Sequence, residues 1–284
     1  MNFLITFVWF AKIVKLLECT GMTKYHRAIH PKKALGQHFL KDFSIAQKIA
    51  ATISCCPSLP VVEIGPGTGI LTRFLLENKR DLMVVEIDPE SVHYLKQHYP
   101  ALNERIIEKD FLSLDLDGSF AESFCVIGNY PYSISSQILF KVLEHKNRIP
   151  CCAGMLQKEV AERLASPPGK KSYGIITVLL QAWYTIEYLF TVEPEAFDPP
   201  PKVKSAVIRM IRNSRTELGC DEALFQTLVK TAFNQRRKTM RNSLKVLLGK
   251  DNQLSTLPIF DKRPEQLSVE EFIELTNRIR QSPT

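Results

Sequence analysis

The sequence predicts an α/β protein in two parts, a doubly wound parallel-sheet domain over residues 22–213 and a smaller all-helical domain over residues 214–284. Three observations predict it. Short apolar runs alternate with amphipathic stretches of helical period through the first two-thirds of the chain. The first of these runs, Pro60-Val61-Val62-Glu63-Ile64, passes straight into a glycine turn, Gly65-Pro66-Gly67-Thr68-Gly69, and then into a helix. From Ser214 onward only helical patterns remain.

Composition sets the outer limits. The 284 residues are 45% hydrophobic and 24% charged, enough for one large core and a small one. The net charge of +7 favours a polyanionic partner. Seven cysteines include the adjacent pairs Cys55-Cys56 and Cys151-Cys152 but no C-x-x-C spacing, so free thiols in a reducing cytosol are expected, with no metal. Residues 1–21 carry an apolar patch, Phe3 to Phe10, too short to span a bilayer and without a charged lead or cleavage site. The texture changes at Met22, so residues 1–21 read as a non-native or disordered extension from a misread start codon.

In chain order, residues 24–41 form a basic arm (Lys24, Arg27, Lys32, Lys33, Lys41). Within it Gly36 permits a close backbone approach, and Gln37 and His38 supply polar contacts. Asp42 caps a helix to about Ser54 with Phe43, Ile45, Ala46, Ile49 and Ile53 on one face. After the glycine turn come a helix over Ile70–Asn78 and a second strand, Leu82 to Val85, ending at Glu86. An acid there suits ribose hydroxyls. The third strand, Arg105 to Glu108, leads to Asp110, which either caps a turn or accepts from an adenine amino group, with Phe111 as an apolar wall.

The turn is G-x-G-x-G rather than G-x-G-x-x-G, and Glu63 precedes it. A carboxylate at that place would repel a pyrophosphate and attract a sulfonium. The ligand with a ribose, an adenine and a cation but no phosphate is S-adenosylmethionine. The fourth strand, Phe124 to Gly128, closes on Asn129-Tyr130-Pro131-Tyr132. Taken alone this is a proline turn after a buried strand. It is also a carbonyl acceptor beside a flat ring, a pairing that suits the exocyclic amine of a base.

A helix from Ser135 or Ser136 to about Glu144, a fifth apolar run over Cys151–Leu156 and helical residues 157–164 follow. Ser166 to Lys171 is an exposed loop, Ile175–Trp183 a helix, and Tyr184–Val192 and Val203–Ile211 are strands. Between those strands three prolines, Pro199 to Pro201, stiffen a loop headed by Phe197. Phe197 is either a loop anchor packed on the core or a second stacking face opposite Tyr132. In the helical part Glu222–Phe233 is amphipathic, and Ser268 with Glu271 has capping-box spacing. Residues 234–245 carry Arg236, Arg237, Lys238, Arg241 and Lys245, either a solvated helix face or a set of phosphate contacts.

Together, Leu35-Gly36-Gln37-His38-Phe39-Leu40, the Glu63–Gly69 turn, Glu86-Ile87-Asp88, Asp110-Phe111, Asn129-Tyr130-Pro131-Tyr132, Phe197 to Val203 and Asn234 to Arg241 resemble the ribosomal small-subunit RNA adenine dimethyltransferases. The resemblance runs from about Tyr25 to the end. It implies a Rossmann-like methyltransferase domain and transfer of two methyl groups from S-adenosylmethionine to N6 of each of two adjacent adenosines near the 3′ end of small-subunit rRNA. It implies a cofactor site of Gln37, His38, Leu40, Glu63, Gly65, Gly67, Glu86, Ile87, Asp110, Phe111 and Asn129. The catalytic set would be Asn129, Pro131, Tyr132 and Phe197, and the RNA contacts Arg236, Arg237, Lys238, Arg241 and Lys245. A cytoplasmic monomer acting on a small-subunit precursor, without a metal or a membrane, is expected. His38 stands where the family often has Asn, and Tyr130 where Leu or Ile is commoner. The alternatives are a large-subunit methyltransferase of the antibiotic-resistance type, a DNA adenine methyltransferase, and a ribosome-assembly factor that kept the fold.

Overall fold

A computed structural model describes residues 29–32, 35–248 and 253–281. The expected extension at 1–21, and Lys24, Arg27 and Lys33 of the basic arm, lie outside the described residues. The elements run β1 (Phe39–Leu40), α1 (Phe43–Ala51), β2 (Val61–Ile64), α2 (Ile70–Glu77), β3 (Leu82–Glu86), α3 (Pro89–His98), β4 (Ile106–Glu108), α4 (Leu116–Ser119), β5 (Cys125–Asn129) and α5 (Ser135–Glu144). They continue with β6 (Cys151–Gln157), α6 (Lys158–Leu164), α7 (Ile175–Gln181), β7 (Tyr184–Val192), β8 (Phe197–Asp198), β9 (Ser205–Arg212), α8 (Glu222–Asn234), α9 (Met240–Ser243), α10 (Lys245–Leu248) and α11 (Val269–Gln281).

Seven strands form one sheet in the order β4-β3-β2-β5-β6-β9-β7. The first five in that order are parallel, and β9 runs antiparallel to both β6 and β7. Strand order reverses between β2 and β5, the place where an open α/β sheet leaves a crevice at its C-terminal edge. Both faces of β2 and β5 are covered, which is why they read as apolar runs apart from Glu63 and the terminal Asn129. Their period of two sorts Val61, Cys125 and Ile127 into one core with Ile49, Leu71 and Met155. Val62, Ile64 and Val126 fall into the other.

That second core also takes in the helical part. Phe225, Leu228, Val229, Ala232 and Phe233 of α8 have the spacing of one helical face, and they share a cluster with Tyr173, Trp183 and Phe272. The change at Ser214 is thus one of composition, and the packing continues across it. Asp42 caps α1 by accepting from the Ser44 and Ile45 amides, at 2.9 and 3.2 Å. At the start of α11, Ser268 and Glu271 close both bonds of a capping box, at 2.9 and 3.1 Å.

The basic segment departs from the single helix face weighed for it. Helix α8 stops at Asn234, and two four-residue helices, α9 and α10, follow after a turn. Beyond Phe233 the apolar period lapses through Gln235-Arg236-Arg237-Lys238. The next core residues, Met240 and Leu244, are fully buried, and the chain must turn to bury them. Helix α3 was not assigned from the sequence; Asp88 caps it, with Pro89 at its first position. The six cysteines among the described residues are free thiols.

Candidate active site

A cavity of about 230 Å³ opens at the C-terminal edge of the sheet. Its wall includes every residue expected at the cofactor: Gln37, His38, Leu40, Glu63, Gly65, Gly67, Glu86, Ile87, Asp110, Phe111 and Asn129. Pro131 and Tyr132 stand on the same wall.

The floor is the turn between β2 and α2. Gly65 has φ +63°, a left-handed conformation that side chains resist, and a Cβ built there would meet no atom within 4 Å. The space a side chain would take is open to a ligand. Gly69, at φ +80°, has the opposite surroundings, because a Cβ would come within 2.5 Å of the Tyr99 ring. The Tyr99 hydroxyl donates to the Gly69 carbonyl at 2.9 Å and holds the turn from behind.

Two acids flank this turn in different surroundings. Glu86 accepts from the amides of Gly67, Ile87 and Asp88 at 3.1, 3.0 and 3.0 Å. Burial raises its pKa against the pull of those bonds. A carboxylate has about four acceptor positions, so three backbone bonds leave one for a ribose hydroxyl. Glu63, read from the sequence as a carboxylate beside the turn, is buried there. It is 1% exposed, accepts from the Thr72 hydroxyl at 2.7 Å, and burial pushes its carboxyl up to about 8. It fastens the turn to α2.

The arm before β1 closes one side. Lys32 Nζ lies 2.5 Å from Asp88 and 3.1 Å from Glu90. Gln37 accepts from the Lys32 amide at 2.9 Å and donates to Asp88 at 3.4 Å. Burial alone would raise the Asp88 carboxyl, but hydrogen bonds from Lys32, Ser91 and Gln37 hold it below its ordinary value. Sequence reasoning missed Lys32 and Asp88 as a brace. The visible signal was an Asp-Pro helix start facing a basic arm. Asp110 caps Phe111–Ser113 through the Leu112 amide at 2.9 Å and also lines the cavity.

Where β5 ends, the Asn129 amide nitrogen donates to the His38 carbonyl at 3.0 Å. A carbonyl can only accept, so this bond fixes which end of the amide is which and leaves Oδ1 as a free-standing acceptor. His38 Nδ1 donates to the Pro199 carbonyl at 2.8 Å, and its ring stacks on Tyr132 with centroids 5.7 Å apart. The Tyr132 hydroxyl is 2.5 Å from Ser205 Oγ, a partner not foreseen from the sequence. Tyr130 is buried, donates to the Ala153 carbonyl at 2.7 Å and packs over Gly128 and Gly154.

Phe197 requires a correction. It is 1% exposed, pairs with Leu40 across the β8–β1 ribbon, joins the core of Ile49 and Val207, and is absent from the cavity wall. Of the two roles weighed, the structure gives it the loop anchor. The loop after it has a cis Asp198-Pro199 bond. Among the basic candidates, Arg241 pairs with Asp261 at 2.5 Å and Arg236 lies 4.0 Å from Glu265. Arg237, Lys238 and Lys245 are exposed, with no carboxylate in ion-pair range among the described residues.

The sheet order and the glycine turn at its C-terminal edge define a Rossmann-like methyltransferase. The pattern of the ribosomal RNA adenine dimethylase family matches residues 29–281, and the chain belongs to that family. It is an rRNA adenine methyltransferase. The Ribosomal RNA small subunit methyltransferase A of Parabacteroides distasonis is 69% identical over 88% of this chain and 94% of its own length. The protein of that name from Flavobacterium johnsoniae is 55% identical over 88% and 96%. Among solved structures, a dimethyladenosine transferase from Plasmodium falciparum gives a TM-score of 0.73 at 25% identity, over 86% of this chain and 98% of its own. The 23S rRNA methyltransferase ErmE gives 0.64 at 27%, over 84% and 99%. No helix among the described residues is long and apolar enough to cross a membrane.

Proposed function

We propose that this enzyme places two methyl groups on N6 of each of two adjacent adenosines near the 3′ end of small-subunit rRNA. It would act as a cytoplasmic monomer on a small-subunit precursor, with S-adenosylmethionine as donor. The small-subunit reading rests on relatives of that name at 55–69% identity, against 27% for the large-subunit enzyme. The residues present fit the donor: the space beside Gly65 would receive it, Glu86 has an acceptor position for its ribose, and Asp110 has an oxygen for its adenine. When bound, that molecule supplies an electrophilic methyl group on a sulfonium.

The single observation behind the mechanism is the Asn129 amide on the cavity wall, fixed by His38 through its nitrogen so that its oxygen is left as an acceptor. The N6 lone pair of adenine is delocalised into the ring and is a poor nucleophile. Asn129 Oδ1 and the Pro131 carbonyl would accept from the amine and favour a pyramidal nitrogen. Positive charge grows on nitrogen during transfer, so these fixed acceptors stabilise the transition state more than the ground state. Tyr132, covered by His38 on one face, would stack the base on the other and hold N6 toward the cavity. The alkylated nitrogen is acidic enough to lose its proton to water, so no dedicated base is needed. The target adenosines must leave their stack to reach this site. Incubation with labelled donor and immature small subunits, large subunits or DNA tests the proposal. Label is expected as N6,N6-dimethyladenosine in small-subunit rRNA alone, and label in the large subunit instead would overturn it.

A further inference from the structure

A second cluster of chemically competent side chains lies at the opposite edge of the sheet. The sulfurs of Cys55, Cys56 and Cys151 all lie within 4.8 Å of one another, and those of Cys55 and Cys56 are 3.9 Å apart. Cys125 stands in register beside Cys151 where β5 and β6 begin, with its thiol within reach of Cys56 and Cys151. We propose that these thiols form a site for a thiophilic cation of the Zn2+ class, held by Cys55, Cys56 and Cys151 with Cys125 as the fourth sulfur.

Geometry, chemistry and surroundings support it. Sulfurs about 2.3 Å from a tetrahedral zinc are about 3.8 Å apart. The Cys55–Cys56 separation already matches, and the other gaps among Cys55, Cys56 and Cys151 close by side-chain shifts of about 1 Å. Thiolates select Zn2+ over hard cations such as Mg2+ or Ca2+. Each thiol releases its proton on ligation, so the loaded centre is net negative and needs cationic neighbours. They are present. Arg80 donates to the carbonyls of Cys56 and Leu59 at 2.6 and 2.9 Å, and Arg209, which also pairs with Glu187 at 2.6 Å, donates to that of Thr52 at 3.4 Å. Arg80 Nε is buried without an acceptor, a donor left over that a neighbouring thiolate would satisfy. Such an ion would tie the turn after α1 to the starts of two central strands. The sequence hid the site because its sulfurs come from three separate segments.

Titration of the reduced full-length protein with Co2+, under argon, tests this. One equivalent should give a sulfur-to-metal charge-transfer band and the intense visible bands of tetrahedral cobalt, both abolished by Zn2+. Zn2+ should also raise Tm. Cys55→Ser and Cys56→Ser, both in a surface turn, should each weaken binding at least tenfold. Cys220→Ser, whose thiol lies beside Thr276, should leave binding unchanged. Reduced wild-type protein that binds no cobalt overturns the site. So does a Cys55→Ser/Cys56→Ser double variant with native circular dichroism that keeps the bands.

Discussion

At the scale of the residue, what matters is which atom each side chain has left over. Asn129 has its nitrogen committed to His38 and its oxygen free. Replacing it with Ala removes one preorganised acceptor and should slow single-turnover methylation about 10²–10³-fold with the donor saturating. A near wild-type rate would exclude the mechanism. Glu63 makes a prediction of a different kind. Its ordinary pKa is 4.5, and burial pushes it up to about 8 in the folded protein. Between those values the folded state keeps a proton that the unfolded chain has given up. Stability from this group therefore falls as pH rises through the window, and the loss is complete above pH 8. Glu63→Gln keeps an acceptor for Thr72 and removes the titration. Its Tm should match wild type near pH 4 and exceed it increasingly up to pH 8; a constant offset would assign the effect to packing instead. The burial of Glu63 was not legible in the sequence, and the choice between the two places for Phe197 could not be made there, because both depend on depth within the sheet. Asn129, Glu86 and Asp110 were legible, because a polar residue closing an apolar strand has few places to point.

At the scale of the element, the turn from β2 to α2 separates two duties among its glycines. Gly65→Ala takes on a left-handed conformation at a cost of about 1–2 kcal/mol, but its methyl enters open space beside the cavity. Gly69→Ala bears the same backbone cost and drives a methyl into the Tyr99 ring. Isothermal titration and thermal melts should separate them: Gly65→Ala loses mainly donor affinity, and Gly69→Ala loses mainly stability. Equal losses of both kinds would show that the turn moves as one piece. Strand, turn and helix could be read here because each local preference agrees with the fold. The basic segment was harder. Its charges say nothing about where a helix stops, and the decisive residues, Met240 and Leu244, are the apolar minority within it.

At the scale of the whole molecule, association with rRNA should be read through salt. Arg237, Lys238 and Lys245 are the exposed cations of the helical part that the sequence singled out and that no carboxylate among the described residues holds, whereas Arg241 is engaged by Asp261. Reversing the charge of Arg237 and Lys238 together should weaken RNA binding. It should also flatten the plot of log K against log salt, by about 0.9 for each phosphate that is no longer neutralised. An unchanged slope would return these residues to the role of a solvated surface. The two-stranded ribbon of β1 and β8 has a consequence of its own. It joins Phe39 to Asp198, and His38 to Pro199 across 161 residues, so the arm that walls the cavity is held by a strand from much later in the chain. During synthesis the parallel strands and the glycine turn leave the ribosome long before residue 198 does. A nascent chain therefore has most of its sheet in hand while the strand that fastens this arm is still missing.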